Sequence, residues 1–414
     1  MADTQTLKSE VVSEAERLVL DSVDDQEAID LLKALIASRT ENPPGREAPA
    51  VDVLKRFFDQ HGIDYVIDDI APSRPNLTAS YGDPDGPTLV LNGHTDTVPV
   101  GDGWKADPFG AHVDEGRIYG RGACDMKCGL TSIVMALATL KRSGLALNGR
   151  IVLQAVIDEE VNSLGSKDAV ERAQPDWVIV AEPTAGQVLS HGMGQLNFDV
   201  EFFGKAAHSS VPDKGRNAIH DAAAFIALVE QETERMSSLN YPGIGPATYS
   251  VGMVSGGLSG SIVPDSCTLT LDRRVLPSET LDEAEAGVQA LIDRIAEQRP
   301  GLQATLKRTL AFPPVPVPED KTLTEVVLSA VRDLGGPEPT GEGMRGATDA
   351  AWYAGKGYSV VVCGPSDGAT AHQVDEYVNV SDLLWGVRMI TLAATRLLTP
   401  DPSRESQHRY PGEA

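Results

Sequence analysis

The chain alternates between two hydrophobic rhythms. Between residues 12 and 38 apolar positions recur at helical spacing, and Glu41–Gly45 (ENPPG) then breaks the pattern. Residues 47–62 repeat the helical rhythm. A run of β-formers, PTLVLNGH, follows, and GRIYGRG (Gly116–Gly122) reads as a short strand and turn. KCGLTSIVMALATLKRSG is apolar on most sides, predicts a buried helix, and stops at Gly144. RIVLQAVIDEE and PDWVIVAEPT share one design, a continuous apolar run that ends in acids. Buried strands alternating with helices predict an α/β fold around a sheet covered on both faces.

Past residue 193 the rhythm changes. FDVEFFGKAA, TYSVGMVSGG, SCTLTLDRRV and LQATLKRTLA alternate apolar and polar residues, as half-covered strands do. Helical patterns over 216–236 and 279–298 separate them in the order β-α-β-β-α-β, that of a ferredoxin-like unit. The Pro-rich FPPVPVPEDK (Phe312–Lys321) leads out of it. A helix over 321–335, the strand-like YSVVVCGPSDG and a helix over 381–398 return to the α/β pattern. The expected organisation is an α/β domain in two parts, 1–193 and 313–414, interrupted by an α+β domain over 194–312. The polar stretch after Leu398 carries no pattern.

Charge and cysteine usage narrow the partners. Thirty-five basic against sixty acidic residues give a net charge of −25. That field repels phosphate backbones and anionic bilayers, so neither nucleic acid nor membrane is expected as a partner. No apolar run approaches a membrane span of roughly 18–20 residues. The acidic, amphipathic start lacks the features of an export signal, which favours a cytoplasmic location. Cys124, Cys128, Cys267 and Cys363 are too few and too scattered for a disulfide scaffold and read as reduced thiols.

Chemistry gathers where the buried strands end. LVLNG is followed by His94, AVID by Glu159 and Glu160, and VIVA by Glu182. The GRGACD turn delivers Asp125, and the Gly-rich CGPSDGATAH delivers His372. Open α/β sheets bind ligands beyond the carboxyl ends of their strands. Imidazoles mixed with carboxylates suit zinc, cobalt or manganese. A set this large exceeds the ligands of one catalytic zinc and suits two divalent ions sharing a carboxylate.

NGHTDTVP, YGRGACDMKCG, DEE, AEPT, GKAAHSSVPDKGRNA, SIVPDSCTLTLDRR, TDA and AHQVDEYV occur in that order. Together they resemble the acetylornithine deacetylase, succinyl-diaminopimelate desuccinylase, carboxypeptidase G and aminoacylase family of di-metal amidohydrolases and peptidases. The resemblance implies that His94 and Glu182 hold one ion, that Glu160 and His372 hold the other, and that Asp125 bridges both. It makes Glu159 the general base and Asp96 the acceptor of a hydrogen bond from the His94 ring. It implies that the inserted domain is a lid and dimerisation surface. There His208 would stabilise the oxyanion and Arg273 would grip a substrate carboxylate. Where the family carries Asn-x-Val-Pro this chain has Ser261-Ile262-Val263-Pro264, a shorter side chain at a substrate contact. The implied reaction is hydrolysis of an N-acyl amino acid amide by a homodimer. A dipeptidase or glutamate-type carboxypeptidase, and a non-catalytic amino-acid or peptide binder, are the alternatives.

Overall fold

The computed structural model describes residues 12–399. The polar tail from residue 400 lies outside them. The described residues divide into two compact units, 12–189, 318–340 and 356–399 in the first, and 190–317 with 341–355 in the second.

The first unit is built on a six-stranded sheet. Its strands run in the order Tyr65–Ala71, Arg74–Gly82, Arg150–Val156, Thr88–His94, Trp177–Val180 and Ser359–Val362. The last four are mutually parallel, and Arg74–Gly82 and Tyr65–Ala71 join as antiparallel neighbours. The sheet is therefore mixed, as the family resemblance implies. Every residue of Thr88–His94 is buried, because a central parallel strand is covered on both faces. The helix Lys127–Ser143 lies against it, buried from Lys127 through Leu140 and closed by Gly144 in the left-handed region. It packs so closely that a Cβ on Gly129 would meet the carbonyl of Ala181 at 1.8 Å, so only glycine fits beside the exit of the Trp177–Val180 strand. On the other face the Asn92 amide donates to Ser166 Oγ of the helix Leu164–Arg172 at 3.1 Å. Each large aliphatic buried here contributes roughly 1.5–3 kcal/mol.

Some local patterns resolve differently from the expectation. The helix expected over 12–38 is two, Glu14–Asp21 and Asp25–Ala37. Asp24 caps the second by accepting the N–H of Glu27 at 3.0 Å. The edge strand Tyr65–Ala71, its neighbour Arg74–Gly82 and the helix Leu164–Arg172 carry patterns too short or polar to stand out. A small sheet joins His112–Asp114, Arg117–Tyr119 and Tyr377–Asn379, tying residues far apart in sequence. Among the described residues no helix is long and apolar enough to cross a membrane.

The second unit has the predicted β-α-β-β-α-β order. Its antiparallel sheet runs Thr248–Gly256, Ser266–Val275, Gly194–Phe203, Gln303–Phe312. Leu196, Phe198, Val200 and Phe202 point to one face with Cys267, Leu269 and Leu271. There they pack on Phe225 and Val229 of the helix Ala218–Met236 and on Val288 and Ile292 of Leu281–Gln298. The alternating polar residues take the opposite face. The segment 341–355 belongs with this unit and carries no hydrophobic rhythm that would assign it there.

Candidate metal centre

Parallel pairing explains why the ligands meet. His94 is in register with Val156, and Asn92 with Val180, so the chain leaves neighbouring strands on one side of the sheet. The segments beyond those ends carry Asp96, Glu159 with Glu160, and Glu182. His94 Nε2 stands 3.4 Å from Asp125 Oδ1 and 4.0 Å from both Glu159 Oε2 and Glu182 Oε2. His372 Nε2 stands 3.2 Å from Asp125 Oδ2 and 3.1 Å from Glu160 Oε2. Two ligand groups result, His94–Asp125–Glu160 and His94–Glu159–Glu182, each with donor atoms within 4.8 Å of one another. Asp125 offers one oxygen to each imidazole. His94, Glu159, Glu160 and Glu182 from strand ends thus meet Asp125 and His372 from turns.

The donor set fits divalent cations. The Nδ1 of His94 lies 2.9 Å from the backbone carbonyl of Asp96, an acceptor only, so Nδ1 carries the proton. The lone pair of Nε2 is then aimed at carboxylates, an arrangement a cation resolves. His94 Nε2 and Glu160 Oε1 are buried and make no hydrogen bond among the described residues. The electrostatics agree. Burial works against a charged His94 ring, yet Asp125, Glu182, Glu159 and Asp96 raise its pKa well above the usual value. Hydrogen bonds to Asp125 and Glu160 push His372 up to about 10, against its partial burial. Burial would raise the Asp125 carboxyl, but His372 and His94 hold it well below the usual carboxylate range. Without metal, protons on the imidazoles supply the positive charge that the carboxylates demand.

Two expectations are corrected. Asp96 meets the His94 ring through its backbone carbonyl, while its carboxylate Oδ1 stands 3.6 Å from Nδ1. The strand ends at His94, so the side-by-side spacing of strand residues does not extend to Asp96. The carboxylate instead accepts the N–H of Glu159 and of Glu160, each at 3.2 Å. Arg273, expected to grip substrate, is 2% exposed on the helix-covered face of its sheet. It pairs with Glu279 at 2.6 Å and stacks 4.8 Å from the Tyr249 ring. Strand alternation sends Arg274 to the opposite face, half-buried, with Nε 3.0 Å from Asp272 Oδ1.

His208 and Ser261 lie in the second unit, both exposed. Their loops are joined by a bridge between His208 and Ile262 and by Ser209 N–H donating to the Ser261 carbonyl at 3.0 Å. The Ser210 N–H donates to His208 Nδ1 at 3.1 Å, which places the ring proton on Nε2. The Ser261 hydroxyl lies 3.3 Å from that of Ser259.

The strand pattern of the sequence does not mark Glu376. It is buried and accepts the N–H groups of Gly122 (3.1 Å), Cys124 (2.8 Å) and Asp125 (3.0 Å), with Arg121 Nη1 at 2.7 Å. Burial raises its pKa despite these donors. The neighbouring pairing of Tyr377 with Tyr119 delivers it beneath the Asp125 turn. Lys127, also missed, is buried and donates to the Leu35 carbonyl at 2.8 Å. Burial lowers its pKa to about 7.

Known proteins resemble this chain in sequence and in fold. The chain is 30% identical over 394 residues to a probable succinyl-diaminopimelate desuccinylase of Staphylococcus aureus (strain N315), covering 86% of this chain and 93% of that one. It is 31% identical over 376 residues to the succinyl-diaminopimelate desuccinylase of Alkalilimnicola ehrlichii, covering 86% and 95%. It is 26% identical over 397 residues to an N-formyl-4-amino-5-aminomethyl-2-methylpyrimidine deformylase of Bacillus subtilis, covering 88% and 93%. Its fold resembles the crystal structure of aminopeptidase PepT from Bacillus cereus, with TM-score 0.75 and 22% identity over 90% of this chain and 98% of that one. The profile of Peptidase family M20/M25/M40 matches residues 90–396, a span that holds all six converging side chains. This chain belongs to Peptidase family M20/M25/M40, as a metal-dependent hydrolase acting on amide bonds.

Proposed function

We propose that the protein hydrolyses the amide bond of an N-acyl amino acid, as a deacetylase or desuccinylase does. The observation that carries this reading is Asp125, whose two carboxylate oxygens face the two imidazoles, Oδ1 at 3.4 Å from His94 Nε2 and Oδ2 at 3.2 Å from His372 Nε2. His94, Glu182 and Asp125 would hold one divalent ion, and Asp125, Glu160 and His372 the other, zinc before cobalt or manganese. Ions bound there acidify a water and polarise the substrate carbonyl. Glu159, 4.0 Å from His94 Nε2, takes the proton of the attacking water and returns it to the leaving amine. His208 is assigned the oxyanion, and its protonated, exposed Nε2 suits a donor. Arg274, on the face the helices leave open, is assigned the free carboxylate of the substrate, and Ser261 a further polar contact.

The relatives named desuccinylase, matched over most of their length, favour a small acyl group over a longer peptide. Homodimerisation through the second unit belongs to the same proposal. Its edge strand Thr248–Gly256 presents Met253 and Val254, 68% and 62% exposed, beside unpaired backbone groups. The four buried, unpaired thiols suit the reducing cytoplasm.

The test is a panel of acetyl-, succinyl- and formyl-amino acids and dipeptides, assayed with defined metal loading. Turnover should vanish on chelation and return with zinc, cobalt or manganese. Full turnover by protein shown metal-free by elemental analysis would refute the mechanism. Preference for dipeptides would select the peptidase alternative.

A further inference from the structure

A buried polar chain runs behind the ligand groups through Asn42, Asp96, Asp158, Arg74 and Glu47. Asn42 is 3% exposed, Asp96 0% and Asp158 2%. Carboxylates at such depth take up protons unless donors satisfy them. Arg74 serves one end of the chain. Its Nε donates to Glu47 Oε2 at 3.0 Å and its Nη2 to Asp158 Oδ1 at 2.7 Å. Asn42 serves the middle. Its Nδ2 carries two hydrogens and has two acceptors, Asp96 Oδ2 and Asp158 Oδ1, each at 2.9 Å. One neutral amide thus links two buried carboxylates without adding charge.

Those carboxylates shape the turn that carries Glu159 and Glu160. Asp158 opens it in the left-handed region at φ 69°, and its carbonyl accepts the N–H of Asn162 at 3.0 Å. Asp96 receives the next two N–H groups, those of Glu159 and Glu160. The Asn42 backbone is itself fixed. Its N–H donates to the Thr97 carbonyl at 2.8 Å, and the Thr97 N–H donates to the Thr40 carbonyl at 3.0 Å. The amide is therefore aimed by a short ladder beside Asp96.

We infer that Asn42 is a positioning residue, whose side-chain amide holds Asp96 and Asp158 at the separation that aims Glu159 and Glu160 into the ligand groups. This rests on the reading of Glu159 as base and Glu160 as ligand. The residue type follows from the chemistry. Aspartate would present only acceptors to two anions, and glutamine would be one methylene too long for the fixed backbone.

The test uses the full chain bearing Asn42→Ala or Asn42→Ser, with folding followed by circular dichroism and thermal melts. Affinity for the second metal ion is read by chelator competition, and kcat and KM are read separately. In folded variants kcat and second-ion affinity should each fall roughly 10–100-fold, the usual effect of removing a residue that orients a ligand. KM should stay within about threefold, and serine, which keeps one donor, should lose less than alanine. A lowered melting temperature with unchanged kcat and metal affinity would overturn the inference in favour of a structural role, as would failure of both variants to fold. If the wild type hydrolyses no amide while the variants still bind the second ion more weakly, the proposed reaction falls and the positioning role stands.

Discussion

Asp96 holds Glu159 by its backbone: the Glu159 N–H donates to Asp96 Oδ1 at 3.2 Å. The other oxygen, Oδ2, takes the N–H of Glu160. A carboxylate is the right partner for two converging N–H groups, since it only accepts. Asp96→Asn keeps the shape but turns an NH2 toward one of them. We expect kcat to fall roughly 10–100-fold, with a comparable loss of affinity for the second ion. Steady-state kinetics with metal analysis would show it, and unchanged values for both would contradict the contact.

Glu159 lies beside the ligands, and its removal separates binding from chemistry. Glu159→Gln should bind two ions per chain yet lose about 10²–10⁴-fold in kcat, the usual contribution of a general base. A rate within threefold of wild type at full metal loading would move the role to another residue.

Proton linkage gives a third expectation. The pKa of His372 rises from 6.5 to about 10 through its hydrogen bonds to Asp125 and Glu160. A histidine raised on folding contributes its full stabilisation below its unfolded pKa and loses it as pH climbs through the folded one. The metal-free protein should therefore melt at a lower temperature at pH 10 than at pH 6.5. Ligation needs neutral rings, so metal uptake at pH 7 should expel protons from both His94 and His372. Calorimetric titrations in buffers of different ionisation enthalpy read that release directly, and a zero slope would contradict it.

The two adjacent arginines should respond in opposite ways. Arg273→Ala removes the buried partner of Glu279 and should destabilise by about 3 kcal/mol, seen in urea unfolding. Arg274→Ala should leave stability nearly unchanged and raise KM for carboxylate-bearing substrates at least tenfold, with little change for their amides. The reverse outcome would return the substrate role to Arg273.

Much of this was legible in the chain. The continuous apolar runs ending in His94, Glu160 and Glu182 read as central strands because they are short and rich in β-branched residues, whereas the buried helix Lys127–Ser143 runs far longer. Ligands placed just past them meet once the strands pair in parallel, so the cluster could be assembled on paper. The β-α-β-β-α-β order of the inserted unit was equally plain, because its strict alternation marks sheets with one face covered. Period and residue type are local properties, and the sequence determined both.

Partner choice is not local, and only the tertiary structure decided it. Nothing near Asp96 in sequence says that its carboxylate would hold the turn at Glu159 rather than the ring two residues away. Arg273 and Arg274 are alike as letters, and one step of strand register buries the first and leaves the second half-open. Glu376 reaches Asp125 across 251 positions because Tyr377 pairs with Tyr119, and Asn42 reaches Asp158 across 116 because its backbone rides on Thr97. A buried polar group must find its partner wherever the packed chain brings one, and that proximity exists only after folding.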